Sequence, residues 1–409
     1  MRRFLLGSAA LLGAGMAANP AVAEDAIKLT VGGHFKEAYM VVEDDNDTDP
    51  EAPFGGDLGA DHNRDGFFND AEIDFTGSTV LDNGLEVGAQ IELEGETQGH
   101  QIDEAYIWFA GGFGEVRIGA DDEALHKACV VPPGGSSNFS AFSPNQWGAN
   151  SGALMSIFSG MSDASICRGV DDDSDAQKII YTSPIFAGFQ LTASYTPNGN
   201  DEDHTDGVGP HLGMPTNVNG ESRHNTSAAI NYGYDGGDWG LTASLGGSWE
   251  GHVEVGGTPG IDEKIDNQDF YQAGINLYVG NFAIGIGGEY FHDLVGFHVD
   301  DLEDITADSW VAGIGASYSY DAWIFGAQYS HREDDHKVSG GGDTTKFDFQ
   351  QDRVVGTVTY LFGPGMNFDA SVGYTWLDSD PEFGQITETD DDLDDYQALE
   401  FGLGATIVF

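Results

Sequence analysis

The chain has 409 residues, with 69 Asp and Glu against 15 Lys and Arg, for a formal net charge of −54. That charge disfavours nucleic acid and anionic membrane surfaces as partners and favours cations in the surroundings. Glycine is abundant at 59 residues while mean hydropathy is negative. Alternating strands explain both, since half of each strand is then polar.

The N-terminus reads MRRFLLGSAALLGAGMAANPAVAEDA. Arg2 and Arg3 precede an apolar stretch from Phe4 to Ala18, and Ala21-Val22-Ala23 is a small-x-small cleavage signal. Residues 1–23 are therefore expected to be a cleaved secretory signal peptide, and residues 24–409 one exported domain. Beyond it no apolar run reaches the ~18 residues that a spanning helix needs. An exported protein with two cysteines, Cys129 and Cys167, is expected to form one disulfide. Two free or metal-binding thiols are the alternative, although no CxxC or Cys/His spacing supports zinc.

DHNRDGFFNDAE (61–72) matches a calcium-loop template, with Asp61, Asn63 and Asp65 at positions 1, 3 and 5, Gly66 at 6 and Glu72 at 12. The template also demands a helix on each side. EDDNDTDPEAPFGGDLGA upstream is too rich in Pro, Gly and Asp to be one, and Glu72 belongs to an alternating strand. A helix–loop–helix sensor is excluded. A calcium ion held by Asp61, Asn63 and Asp65 in an outside loop stays open beside the plainer reading of a solvated acidic loop; no other cofactor is called for. Asp171 to Asp173 with Asp175, and Asp390 to Asp392, are similar oxygen-rich stretches.

From there the chain is strands. AEIDFTG sets Ile73 and Phe75 against Glu72, Asp74 and Thr76. GLEVGAQIELEGE (84–96) sets Leu85, Val87, Ala89, Ile91 and Leu93 against Glu86, Gln90, Glu92 and Glu94. Tight joints occur at LDNG (81–84), GGFG (111–114), FAG (186–188), DGGD (235–238), VGN (279–281), YDA (320–322) and FGPG (362–365). Longer acidic or Gly-rich stretches lie between them, at about 44–66, 95–101, 121–176, 197–223, 251–266, 294–305, 332–347 and 379–394. Short turns alternating with long loops over 16 antiparallel strands describe an outer-membrane barrel. Its apolar face would meet lipid and its polar face a water-filled lumen, leaving no hydrophobic core of the soluble kind. Tyr39, Tyr181, Phe189, Tyr232, Tyr278, Tyr290, Tyr318, Tyr360 and Phe362 recur near strand ends as candidate interfacial girdles. The chain closes on an amphipathic strand ending in Phe409, which resembles the sorting signal of outer-membrane barrels.

FFNDAEIDFTG with LDNGLEVGAQIELE, GGFGEVRIGADDEA, KIIYTSPIFAGFQLTASY and the terminal phenylalanine together resemble the Gram-negative general diffusion porins of alphaproteobacteria. The resemblance implies an all-β fold, a 16-stranded antiparallel transmembrane β-barrel assembled as a homotrimer in outer-membrane lipid and lipopolysaccharide. It also implies a third outside loop that folds inward and narrows the lumen. Residues 121–176 fall where that loop belongs; they hold both cysteines, whose disulfide would staple the loop to itself. In the family a basic cluster on the wall faces acids on the loop. Alternation places Lys36, Arg117, Lys178 and Arg353 inside as the basic side. Asp121, Asp122, Glu123, Asp163 and Asp171 supply the loop side.

The function expected is a passive channel for small hydrophilic solutes and ions, without catalysis. The excess of acids favours cations, which a few arginines at the narrowest ring would reverse. A substrate-specific channel with a binding track is the alternative. A barrel-borne enzyme lacks a Ser/His arrangement, and a calcium-dependent adhesin lacks a short repeat.

Overall fold

The computed structural model describes residues 27–44, 64–95, 101–142, 166–167, 176–199, 223–251, 253–256, 262–265, 267–298, 303–340, 343–379 and 397–409. The strands are β1 (Lys28–Asp44), β2 (Asp65–Val80), β3 (Glu86–Glu94), β4 (Ile102–Gly111), β5 (Gly114–Ala120), β6 (Gln177–Thr182), β7 (Phe189–Asn198), β8 (Arg223–Asp235) and β9 (Trp239–Gly251). They continue with β10 (Val253–Gly256), β11 (Asp262–Ile265), β12 (Asp269–Val279), β13 (Phe282–His298), β14 (Glu303–Tyr320), β15 (Trp323–Gly340), β16 (Asp343–Gly363), β17 (Met366–Ser379) and β18 (Gln397–Val408). One short helix, α1 (Ala124–Ala128), follows β5. Among the described residues no helix is long and apolar enough to cross a membrane.

Each strand pairs antiparallel with its neighbour, β9 pairs directly with β12, and β18 closes on β1 through Phe35–Ile407 and Val41–Phe401. The result is a closed 16-strand barrel. Closure satisfies the backbone of every strand and leaves no edge for lipid to meet. The two extra segments, β10 and β11, form a hairpin within the stretch read as loop 251–266, and β11 continues onto the end of β13.

All seven tight joints connect the strands expected. At Phe186–Phe189 the two residues exchange backbone hydrogen bonds of 2.8 and 2.9 Å across Ala187 (φ 50°) and Gly188 (φ 89°). Positive φ at both central positions gives a turn whose twist matches the strands. The long stretches fare differently. The 294–305 and 332–347 stretches are mostly ladder, since β13 to β16 run on to His298, Glu303, Gly340 and Asp343. Acidic composition reads as loop, but alternation persists there, and above lipid a ladder in water satisfies the backbone equally well.

Outward residues are apolar and exposed: Phe75, Ile91, Ile118, Leu191, Leu245, Ile286, Val354 and Leu403 are examples. At the turn end the rings of Phe189–Tyr232, Phe282–Tyr318 and Trp323–Tyr360 lie 4.5–4.7 Å apart, a girdle at one interface. Tyr278 departs from that girdle. It shares the inward phase of Asn276, and its hydroxyl meets Thr242 Oγ1 at 3.4 Å.

Inside, residues 121–142 follow the polar face of the wall in strand order. Ala124, Leu125 and Val130 donate their N–H groups to Ser194 (β7), Ser227 (β8) and Ser244 (β9) at 3.0, 2.8 and 3.1 Å. Asn276 (β12), Gln328 (β15) and Thr357 (β16) each donate, at 2.8 Å, to the carbonyls of Val131, Pro132 and Gly134. Asn138 reaches Asp369 (β17) at 2.7 Å and Thr406 (β18) at 3.2 Å. Apart from α1 this stretch, with two prolines, has no regular structure, and wall side chains take up several of its backbone groups. The barrel also holds a small apolar core that the amphipathic pattern alone did not announce. Leu125, Ala128, Cys129, Phe142, Ile166 and Cys167 pack on Ala229, Phe270, Phe291, Val311 and Val355.

Glycines clear the way. A Cβ at Gly274 would strike the Val130 carbonyl, at Gly315 the Pro133 carbonyl, and at Gly326 the Gly134 carbonyl. Part of the high glycine content is thus a track under the loop. Gly274→Val or Gly315→Val is expected to keep the barrel but displace this segment, at about 1–3 kcal/mol. Heat-modifiable gel migration would stay as in the parent, while single-channel conductance would change.

Candidate functional site

The inner loop is rooted by a buried ionic clamp. Arg117, pointing inward from β5, donates to Glu115 at 2.6 Å, Asp121 at 3.1 Å and the Tyr106 hydroxyl at 3.2 Å, and its guanidinium lies 4.7 Å from the Tyr106 ring centroid. Lys127 of α1 pairs with the other Asp121 oxygen, and Lys178 of β6 donates to the Asp121 carbonyl. Asp121 is fully buried. Burial opposes its ionisation, but Lys127 and Arg117 outweigh this and hold its carboxyl below the usual carboxylate range. Burial likewise opposes charge on Lys127, and Asp121 outweighs it and raises the ammonium above the usual lysine range. Glu123 is buried and accepts from Ser248 at 2.7 Å. These acids fasten the loop to the wall.

The remaining expected residues are placed apart. Lys36 donates to Asp70 at 2.6 Å on the wall of β1 and β2. Arg353 donates to Glu400 at 2.8 Å across β16 to β18, and both are buried. Arg117 and Lys178 therefore meet at Asp121, while Lys36 and Arg353 stand at other points of the circumference. Asp122 lies 3.7 Å from His126 Nδ1 with a partly exposed carboxyl. Asp163 and Asp171 lie outside the described residues. So do Asp61 and Asn63 of the calcium-like stretch; Asp65 is in β2 and accepts from the Tyr39 hydroxyl at 2.8 Å. Cys129 and Cys167 are disulfide-bonded, with Cα atoms 5.5 Å apart.

One sector of the wall stays largely clear of residues 121–142. At one edge Phe139 packs on Ala38 and Met40, and at the other Asp121 meets Glu104. Between them the inner face of β1 to β4 carries Asp70, Glu72, Asp74, Glu86, Glu92, Glu94 and Glu104. His34 and Lys36 face them from β1, and Asp70 holds both: His34 Nε2 is 2.8 Å from one oxygen and Lys36 is on the other. Lys127, Glu104, Tyr106 and Trp108 are site residues missed from sequence. Period two in IDEAYIWFAG puts Glu104, Tyr106 and Trp108 on one inward face, a signal that was present; nothing local marks Lys127.

Two outcomes test the clamp. Asp121→Asn leaves Arg117 and Lys127 without their shared anion and is expected to cost about 3 kcal/mol, seen as noisier open-channel current. Because the folded pKa of Asp121 is lowered, its contribution is complete above about pH 4. It is lost only as pH falls through the lowered value, so current noise in the parent would stay flat from pH 7 to about pH 4 and rise below. Replacing both cysteines with serine removes about 3–4 kcal/mol in the chain-entropy account and should lower the temperature at which the channel closes or unfolds.

Comparison with known proteins agrees with this architecture. A family model described as "Gram-negative porin" matches residues 7–380. A protein named "Monosaccharide porin" from Halomonas sp is 24% identical over 356 residues, covering 84% of this chain and 81% of the relative. The "Major outer membrane protein" of Halomonas elongata matches with the same identity and coverage. Among solved structures, the anion-selective porin from Comamonas acidovorans covers 94% of this chain and 100% of its own at a TM-score of 0.54 and 15% identity. OmpT of Vibrio cholerae, folded in vitro, covers 94% and 98% at a TM-score of 0.54 and 13% identity. With a closed strand ladder, an apolar outside and a polar inside, the chain belongs to the Gram-negative porin family, channels of the outer membrane.

Proposed function

We propose that the protein is a water-filled channel for passive diffusion of small hydrophilic solutes and ions, with a preference for cations. The observation that carries this reading is the sector of β1 to β4 left largely clear by residues 121–142, where acidic side chains outnumber basic ones and Asp70 holds both His34 and Lys36. A permeating ion meets local charge rather than the chain's total. Among the described residues, Arg117, Lys127, Lys178 and Arg353 are each engaged by a carboxylate or a carbonyl, which offsets the positive charge that would oppose this preference. Residues 121–176 act as the constriction, with their described part fastened to the wall. Homotrimer assembly is supported by the outward phase of Glu37 and Asn69, Cα partners on β1 and β2 that put polar groups where the band elsewhere is apolar. The apolar band itself suits outer-membrane lipid and lipopolysaccharide.

A substrate-specific channel is the second reading. Tyr106 and Trp108 side by side on the inner wall, with centroids 6.1 Å apart, favour it, and the Halomonas relative's name gives monosaccharides as the solute class to try first.

Planar-bilayer recording separates the possibilities. In a KCl gradient the reversal potential is expected to show potassium more permeant than chloride, more strongly at 0.1 M than at 1 M salt, as the screening length falls from about 10 to 3 Å. Neutralising Asp74 and Glu92 together as amides should reduce the ratio. A chloride-preferring pore would overturn the cation preference, and a protein that never conducts would overturn the channel.

A further inference from the structure

Trp108 stands on the inner face of β4 with a setting unlike that of the girdle aromatics. Its Cα partners are Gly88 on β3 and Arg117 on β5. A Cβ at Gly88 would overlap the indole ring, so the ring lies directly on the β3 backbone. One indole face is thereby fixed against the wall, and the side chain keeps part of its surface open.

Carboxylates surround this ring. The next inward row toward the turns is Glu86, Ala110 and Glu115, so both acids are diagonal neighbours of Trp108 and within reach for long side chains. Toward the loops comes Gln90, whose amide donates to Asp74 at 3.3 Å and to Glu92 at 3.4 Å. The one cation in the immediate group, Arg117, is drawn to Glu115 and Asp121 and lies over Tyr106. A guanidinium on an aromatic face is thus already part of this wall.

We propose that the Trp108 ledge is a transient binding site for organic cations, ammonium or guanidinium compounds with an apolar body, on their way through the pore. The inference rests on the open-channel reading. An indole face attracts a weakly hydrated cation through its quadrupole; Glu86 supplies countercharge, and Glu115 adds to it while shared with Arg117. A small metal cation has no reason to leave its water for a ring. A neutral polyol gains stacking but leaves the acids unused, and an anion is repelled by them.

The test uses the full-length purified protein in planar bilayers in 0.1 M KCl. Tetramethylammonium chloride in the millimolar range is expected to produce brief, saturable reductions of the potassium current, and glucose at equal concentration to produce fewer. Trp108→Ala should raise the half-saturating concentration about fivefold to tenfold. Gly88→Ala, which retains the indole but lifts it from the wall, should act in the same direction, while Trp108→Phe should keep part of the effect. Potassium current without additive reports that each variant is folded and open. An unchanged half-saturating concentration in conducting Trp108→Ala channels would overturn the ledge and leave the channel standing. Glucose acting as strongly as tetramethylammonium would overturn the cation assignment. A parent protein that conducts no potassium would overturn both.

Discussion

Backbone hydrogen bonding in lipid is the constraint on which the molecule depends. Each peptide group that enters a bilayer must find its partner within the protein, and here the ladder from β1 round to β18 provides one for every strand. Once the ladder closes, period two in the side chains becomes a division of space. Odd positions in β18, such as Phe401 and Leu403, face lipid, and even positions, such as Glu400 and Thr406, face inward and are buried. Lipid contact, lumen polarity and the girdles all follow from that single closure.

The inner loop answers a second form of the same demand. Its backbone cannot ladder, so serines, asparagine, glutamine and threonine from β7 to β16 take up its N–H and carbonyl groups one by one. Glycines beneath remove the side chains that would hold it off. The cost of this arrangement is asymmetry. Much of the wall from β5 to β18 fastens the loop, and Arg117 and Lys178 are engaged at Asp121 in doing so. The part from β1 to β4 keeps its carboxylates facing the lumen. On the channel reading proposed above, the electrostatic character of the pore follows from the sector that does the least structural work for the loop.

Charge at the clamp shows why composition is a poor guide to a lumen. Asp121 and Glu123 come from the loop and look by position like pore-facing acids, yet they are buried and serve as anchors. Arg117 and Lys178 look like a positive wall, yet both are bound at Asp121. The half-buried acids of the inner wall, such as Glu72 and Asp74, sit instead on strands whose alternation is plain in the sequence.

The division between what was legible and what was not follows the range of the interactions. Strand faces, the seven turns and the number of crossings are local properties: period two in GLEVGAQIELEGE or the Ala-Gly of FAG is visible within a few residues. Ladder above the membrane was misread at 332–347 because acidic composition overrode a pattern that was still present. The pairing of Lys127 with Asp121, of Arg353 with Glu400, and of Gly315 with Pro133 joins residues whose proximity no local period encodes. Amino-acid order alone thus determined the barrel and its orientation of faces. Only the tertiary structure decided which charges are consumed and which remain, because that depends on the path of an aperiodic loop across the inner wall.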